Sequence, residues 1–308
     1  MTMIRENWAD LLEPGLRRVF YQTFGRRKSM IPELFNEIKS KKYQEHDTSA
    51  GALGTSGWNF EDSDTVQYSD FNQGYKITTT SKEFAHGIQI KRNLVDDEMY
   101  GIMAKRVRVL ADSAFVFREK AAAGVFINGF TDSGTTSEGF PIAGYDAVGL
   151  LSTAHPYSEY DATTQGNEGT LSLTKNNVST TRQLMMAFVD DKGDIVNVMP
   201  NVILVPPELE DDALVIVKSI NDPTSANNAI NPQAGRFQVV VWHYMTDANA
   251  WFMIDRDLMK EHLLWINRIP LEFKQEEDFD GLVAKYRAYM RFSRNWTHYS
   301  WIYGQNPS

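Results

Sequence analysis

The apolar positions of this chain alternate between helical and extended spacing, and the switches mark its elements. The strongest helical run is 94–128, where Val95, Met99, Ile102, Met103, Leu110, Phe117 and Ala121 keep three-to-four spacing. It contains no Pro and is rich in Ala, Lys, Arg and Glu. At 1.5 Å per residue, about 30 residues span roughly 45 Å. A helix of that length is a girder whose stripe needs a partner layer, most simply a sheet. A second helix is predicted from Lys175, with Val178, Thr181, Met185 and Phe188 on one face. A third starts at Pro207 and places Leu209, Ala213, Ile216, Val217 and Ile220 together. Between them, Val202-Ile203-Leu204-Val205 is apolar throughout and reads as a central strand.

Extended spacing governs the rest. Tyr75, Ile77 and Thr79 alternate, as do Ile88 and Ile90, giving two strands within 66–92 with Gly87 as a bulge or bend. Strands are expected at 237–242 and 251–255, then over 262–273 and 283–296, where Tyr286, Ala288, Met290 and Phe292 alternate with Lys285, Arg287, Tyr289 and Arg291. The first 42 residues read as short helices, one opening at Pro14 with Leu16, Val19 and Phe20, another at Pro32 with Leu34, Phe35 and Ile38. Neither buries much alone, so this arm has to pack on something else.

Polar stretches punctuate these elements. Residues 47–65 carry Gly51, Gly54 and Gly57 among Ser, Thr and Asp, the signature of a hairpin tip. Trp58 and Phe60 within it either dock on a partner or fold back on their own domain. Residues 129–171 are loop-rich, and 221–235 form a long polar loop of the kind that makes contacts. The aromatic tail with Trp296, Tyr299, Trp301 and Tyr303 reads as core or interface packing.

Composition narrows the possibilities. The chain has 308 residues, 42% hydrophobic and 23% charged, and no Cys, which removes disulfides and thiolate chemistry. No apolar run approaches the roughly 20 residues of a membrane-spanning helix. Charge is uneven. Residues 1–42 hold nine basic and five acidic side chains, a net of +4, against −13 for the remainder. A basic arm on an acidic body meets a neighbouring subunit's acidic surface or nucleic acid, or it is simply a solvated helix. The −13 body argues against DNA binding as the main activity. Phosphate-loop, dinucleotide, nucleophile-elbow, zinc-protease and EF-hand motifs are missing. No two of His46, His86, His155, His243, His262 and His298 are spaced as metal ligands on one face, so no metal or cofactor site is expected. The acidic doublets Asp96-Asp97 and Asp211-Asp212 fall in first helical turns, where they complement the helix dipole. A hydrolase with carboxylates far apart in sequence stays open as an alternative.

The order of parts is more specific than any motif. Gly74-Tyr75-Lys76-Ile77 leads to Gly87-Ile88-Gln89-Ile90 and then to Val95-Asp96-Asp97-Glu98-Met99-Tyr100-Gly101. Leu150-Leu151-Ser152-Thr153-Ala154-His155-Pro156 and Val202 to Glu210 follow, with Asn231-Pro232 and Trp251-Phe252-Met253 later. In this order the whole chain resembles the major capsid proteins of tailed bacteriophages, whose fold is shared with the herpesvirus capsid floor, and most of all the Mu-like major head subunits. The resemblance implies an α+β fold with an N-terminal arm at 1–43 and an extended β-hairpin loop at 44–80. It implies a peripheral domain with a long spine helix and long β-strands, from 81–134 and 236–308, and an axial α/β domain from 135–235. It further implies hexamers and pentamers in an icosahedral shell around double-stranded DNA contacted non-specifically, a portal, and no catalysis, cofactor or membrane. The place of work is the virion shell, assembled in the host bacterial cytoplasm. A tail-tube or decoration protein is the alternative within phage structural proteins, against which the long helix speaks.

Two departures from relatives matter. Some weld subunits through a loop lysine, yet residues 48–65 contain no Lys, so a noncovalent shell is expected. Others begin with a long helical scaffolding segment that is not visible here, so a separate scaffolding protein, or a segment removed before Met1, is expected. The candidate subunit-contact residues are Arg26, Arg27 and Lys28 in the arm and Trp58 and Phe60 in the loop.

Overall fold

The computed structural model describes residues 8–55, 65, 66, 68, 73–97, 99–159, 161–221, 230–278 and 280–307. In chain order these form α1 (Trp8–Gly25), α2 (Ile31–Leu34), β1 (Asn36–Lys39), β2 (Gln44–Ala50), β3 (Gln73–Thr80), β4 (Lys82–Lys91), α3 (Arg92–Asp96) and α4 (Tyr100–Ile127). Next come β5 (His155–Ser158), β6 (Asp161–Gln165), β7 (Glu168–Gly169), α5 (Lys175–Met186), β8 (Val202–Val205) and, after a 3-10 turn, α6 (Glu210–Lys218). The last are β9 (Gln238–Val241), β10 (Trp251–Ile254), α7 (Arg256–His262), β11 (Leu263–Asp278), β12 (Val283–Trp296) and β13 (Ile302–Gln305).

Two sheets organise the chain. One has the order β1-β11-β12-β4, the other β7-β13-β10-β8-β9. In the first, β11 and β12 make a long antiparallel hairpin, and β4 runs antiparallel along β12. The period-two pattern of β12 does what its spacing predicts, burying Tyr286, Ala288, Met290 and Phe292. Helix α4 lies over this face. Phe117 packs 4.8 Å, centre to centre, from Phe84 of β4, and Leu110 shares a core with Ile90, Phe273 and Tyr286. In the second sheet, β8 and β10 are buried on both faces. Alternate residues therefore enter different cores: Leu204 and Phe252 join the cluster under α4, while Ile203, Met253 and Trp251 join the cluster under α5 and α6.

The arm departs from expectation. Instead of separate pieces opening at Pro14 and Pro32, one helix runs from Trp8 through an exposed Pro14. Its Leu16 and Phe20 are fully buried against α4 and β11, and Phe20 stacks on Phe273 at 4.7 Å. The stretch after it is not a helix carrying Ile38: α2 stops at Leu34, and β1 pairs in parallel with β11, leaving Ile38 exposed. Ile31, Leu34 and Phe35 are buried in the chain's own core. The arm is thus an integral layer of the subunit, because its apolar residues have a partner surface within the same chain.

A buried carboxylate fixes that layer. Glu119 of α4 lies 1% exposed and accepts from Ser29 Oγ at 2.5 Å, the Met30 amide at 3.3 Å and Trp242 Nε1 at 3.1 Å. Lys260 of α7 donates to the carbonyls of Pro32 and Phe35, closing the C-terminal end of α2.

Other differences have local causes. The long helix begins at Tyr100, because the Met99 amide donates back to the Leu94 carbonyl and ends α3 first. Asp96 and Asp97 therefore close a short helix rather than open the long one. Gly87 is not a bulge: β4 and β12 stay in register across it, and a side chain there would meet the Tyr286 carbonyl at 3.0 Å. Ile220 lies beyond the end of α6 and is 78% exposed instead of sharing its buried face. The expected boundary at 235/236 also runs through a sheet, since β9 beyond it pairs with β8 before it.

Two substitutions test the packing. Phe20→Ala removes a fully buried ring and should cost about 3–5 kcal/mol, read as a lower denaturant midpoint. Leu110→Asp places an unpaired charge between helix and sheet and should yield insoluble protein. Soluble, stable Leu110→Asp protein would show that this face is not core.

Candidate functional site

Surfaces, rather than a cleft, dominate the candidate chemistry. In the arm, Arg27 pairs with Asp112 of α4 at 3.2 Å and lies over the Phe115 ring, and Lys28 pairs with Glu33 at 3.0 Å. Both cations are thus already answered within the chain by half-exposed pairs of small individual worth. Arg26 is exposed and has no ion pair among the described residues. Trp58 and Phe60 lie outside the described residues.

The extended hairpin is visible at its base. β2 and β3 pair antiparallel with a register shift between Thr48 and Ala50. Gly74 is required there, because a Cβ would sit 2.2 Å from Ser49 Oγ. Most of this hairpin is polar, with Ile77 as its buried anchor at 5% exposure. Beyond β2 the chain rests on the turn after α5: the Ala52 amide donates to Asp191 at 2.8 Å and Thr55 Oγ1 to Asp194 at 2.9 Å.

Several large apolar side chains face solvent. Ile195 is 73% and Met199 63% exposed, and at the root of the long polar loop Ile220 is 78% exposed beside Asn221, whose bridge partner Ile230 is 81% exposed. Val109 on the outer face of α4 is also exposed.

One cluster has the look of a catalytic group. His155 Nδ1 lies 2.6 Å from Asp146 Oδ2, and its Nε2 lies 3.1 Å from Asn167 Oδ1. The same Asn167 oxygen accepts from the Ser152 amide, so His155 Nε2 is the donor. Tyr299 stacks on the imidazole at 4.0 Å, and His155 has no exposed surface. Both nitrogens are occupied and a face is covered, so the group pins loop 146–167 to the C-terminal tail instead of acting on a substrate. Sequence reading missed it: Asp146 and Asn167 lie 9 and 12 residues from His155 in no recognised motif spacing, and the covering Tyr299 comes from the tail. Among the described residues no group of three or more His, Asp or Glu side chains is arranged to hold a metal.

The tail aromatics are core, as Trp296, Tyr299, Trp301 and Tyr303 are all buried. His298 stacks beside Tyr299 at 4.8 Å and takes the Ser300 amide on Nδ1. Burial, then the fields of His262 and His155, lower its pKa to about 3. Burial also lowers His262 and raises Tyr299 and Tyr145.

The family model described as Phage capsid protein matches residues 74–303. No curated protein matches the chain. Among solved structures, the capsid of a native GTA particle superposes with a TM-score of 0.58 at 14% identity, covering 92% of this chain and 91% of that one. Microbacterium phage Oxtober96 gives 0.54 at 12% identity, covering 92% of each chain. The capsid of bacteriophage JBD30 gives 0.55 at 14% identity, covering 71% of this chain and 92% of the other. The fold is therefore that of phage major capsid proteins.

The histidine stack predicts acid sensitivity. With the folded pKa of His298 depressed to about 3, protonation favours the unfolded chain. Stability is present above the unfolded value of roughly 6.5 and declines as pH falls toward 3, by at most about 1.4 kcal/mol per unit for this half-buried group. His298→Gln should flatten the fall in melting temperature between pH 6.5 and 4.5. An unchanged slope would put the acid response elsewhere.

Proposed function

The chain belongs to the phage capsid protein family and is a capsid protein; we propose that it is the major shell subunit, assembling as hexamers and pentamers into an icosahedral container for double-stranded DNA. The observation that carries this reading, beyond the family match, is the contrast between a closed core and exposed aliphatic side chains such as Ile195, Met199, Ile220 and Ile230. Their burial between copies supplies the driving force, at about 25 cal/mol per Å² of apolar area removed from water. Closed symmetry then repeats each contact around the shell.

In this reading the hairpin of 44–80 reaches over a neighbour, with Trp58 and Phe60 at its tip as contact residues. The sheet β1-β11-β12-β4 with α4 forms the peripheral body, and the region around α5 and α6 forms the axial part. Of Arg26, Arg27 and Lys28, Arg26 has no ion pair among the described residues and can meet a neighbour's acidic surface, while Arg27 and Lys28 would have to exchange partners. A body carrying −13 repels phosphate and suits a container that must release its DNA. Scaffolding and portal functions belong to other proteins, and assembly takes place in the host cytoplasm before the virion leaves. The shell works as structure and is held together without covalent links.

Negative-stain microscopy of the expressed chain tests the main proposal. Shells, or rings of five and six subunits, are expected, and a small closed oligomer of two or four would sink it. Boiling assembled particles in detergent should release one band at 35.1 kDa. A ladder of multimers would show covalent welding. Salt near 1 M, where the screening length is about 3 Å, should loosen particles before it unfolds subunits. Salt-indifferent particles would leave apolar contacts as the sole cohesion.

A further inference from the structure

Arg294 of β12 is a buried guanidinium with too few partners. It is 8% exposed, and neither its Nε nor its Nη2 has a hydrogen-bond partner among the described residues. No carboxylate among them lies within ion-pair distance. Glu138 acts on it only from farther away, and its own carboxylate takes the Ser137 hydroxyl. Burial lowers the guanidinium pKa to about 10, which leaves it charged at neutral pH. The Phe140 ring, 5.1 Å from Cζ, offers some compensation, far short of a counter-ion.

The guanidinium lines a cavity of about 240 Å³ between the hairpin base, β4 and the loop around Phe140. That is room for roughly eight waters at about 30 Å³ each. Lys76 and Lys82 stand on the same wall, and Lys82 Nζ lies over the Phe140 ring at 5.7 Å. Neither lysine is in an ion pair among the described residues. Thr78 and Thr80 also line it, their hydroxyls bonded to His46 and Gln44 of β2. Asn295 holds the wall in place by donating to Thr79 Oγ1 at 2.6 Å. On the spine side, Gly124 leaves space for the guanidinium, since a Cβ there would lie 3.2 Å from Nη2.

Three cations and no matched acid among the described residues define the ligand. We propose that this cavity is a site for one small oxyanion of the phosphate class, held by Arg294 at its floor and by Lys76 and Lys82 at its mouth. A guanidinium fork meets two oxygens of such an ion, and the lysines add charge without fixed geometry. The depth of Arg294 favours a free ion or a phosphate monoester over the backbone of a duplex, whose phosphates stay on the outside of a wide rod. Filling the site ties β3 to β12 and so sets the hairpin base on the body.

Thermal melting of the unassembled full chain tests the site, with inorganic phosphate compared with chloride at equal ionic strength. Phosphate should raise the melting temperature by roughly 2–4 °C once it exceeds its dissociation constant about tenfold. Arg294→Met should abolish that difference, and Lys76→Met should reduce it. If Arg294→Met does not fold, the Lys76→Met, Lys82→Met double variant decides, and an undiminished phosphate shift in it overturns the proposal. So does a wild-type chain that responds to phosphate no more than to chloride. Arg294-dependent binding of a duplex oligonucleotide, with no response to inorganic phosphate, would assign the cation cluster to DNA and overturn it as well.

Discussion

A carboxyl group inside an apolar core has to be met by hydrogen-bond partners, and Glu119 makes the whole subunit answer to that demand. It projects from the long helix into a layer of Ala, Val and Phe, where an unpaired charge would cost several kcal/mol. The donors that satisfy it come from the arm, at Ser29 and Met30, and from the segment after β9, at Trp242. Two distant parts of the chain are therefore fixed relative to one helix turn by a single group. The aromatic packing follows from this: Phe126 sits edge-on to Phe35, Trp242, Phe252 and Trp301, so both sheets and the arm meet at the end of α4.

The second sheet has the complementary role. Because β8 and β10 alternate their side chains between two cores, the sheet is a shared wall, and neither core is complete without it. This makes the body stiff where the chain crosses between its regions. It also leaves apolar residues such as Val109 of α4, Leu184 of α5 and Val215 of α6 exposed on the outer faces. A closed interior with adhesive surfaces is what repeated assembly demands of one polypeptide.

Much of this was legible in the sequence, and the failures are informative. The long helix, the α5 face of Val178, Thr181 and Met185, the doubly buried β8 and the alternation in β12 all follow from period alone, because each depends on which side of an element is dry. The arm was misread because its burial depends on a surface built from residues over 80 positions away. Gly87 was misread as a bulge because sequence shows that a side chain is excluded without showing by what. Glu119, Arg294 and the Asp146–His155–Asn167 group were missed because a polar residue on an exposed face and a buried one look alike in sequence until folding shows which faces are covered.

The β11–β12 hairpin has a mechanical side. Its 14-residue second strand reaches nearly 50 Å at about 3.4 Å per residue. The tip at Leu282 is exposed, while the root at Leu263 and Trp296 is anchored in the main core. The ladder is interrupted between Asn267 and Ile269 and again between Ile269 and Glu272, at the passage from one core cluster to the next. Beyond those interruptions the strands, α1 and the first half of α4 share a separate cluster. A load at the tip thus acts through a long lever on a joint with missing rungs. Bending compliance is concentrated there, so the distal half of the hairpin can tilt against the main core without repacking either cluster.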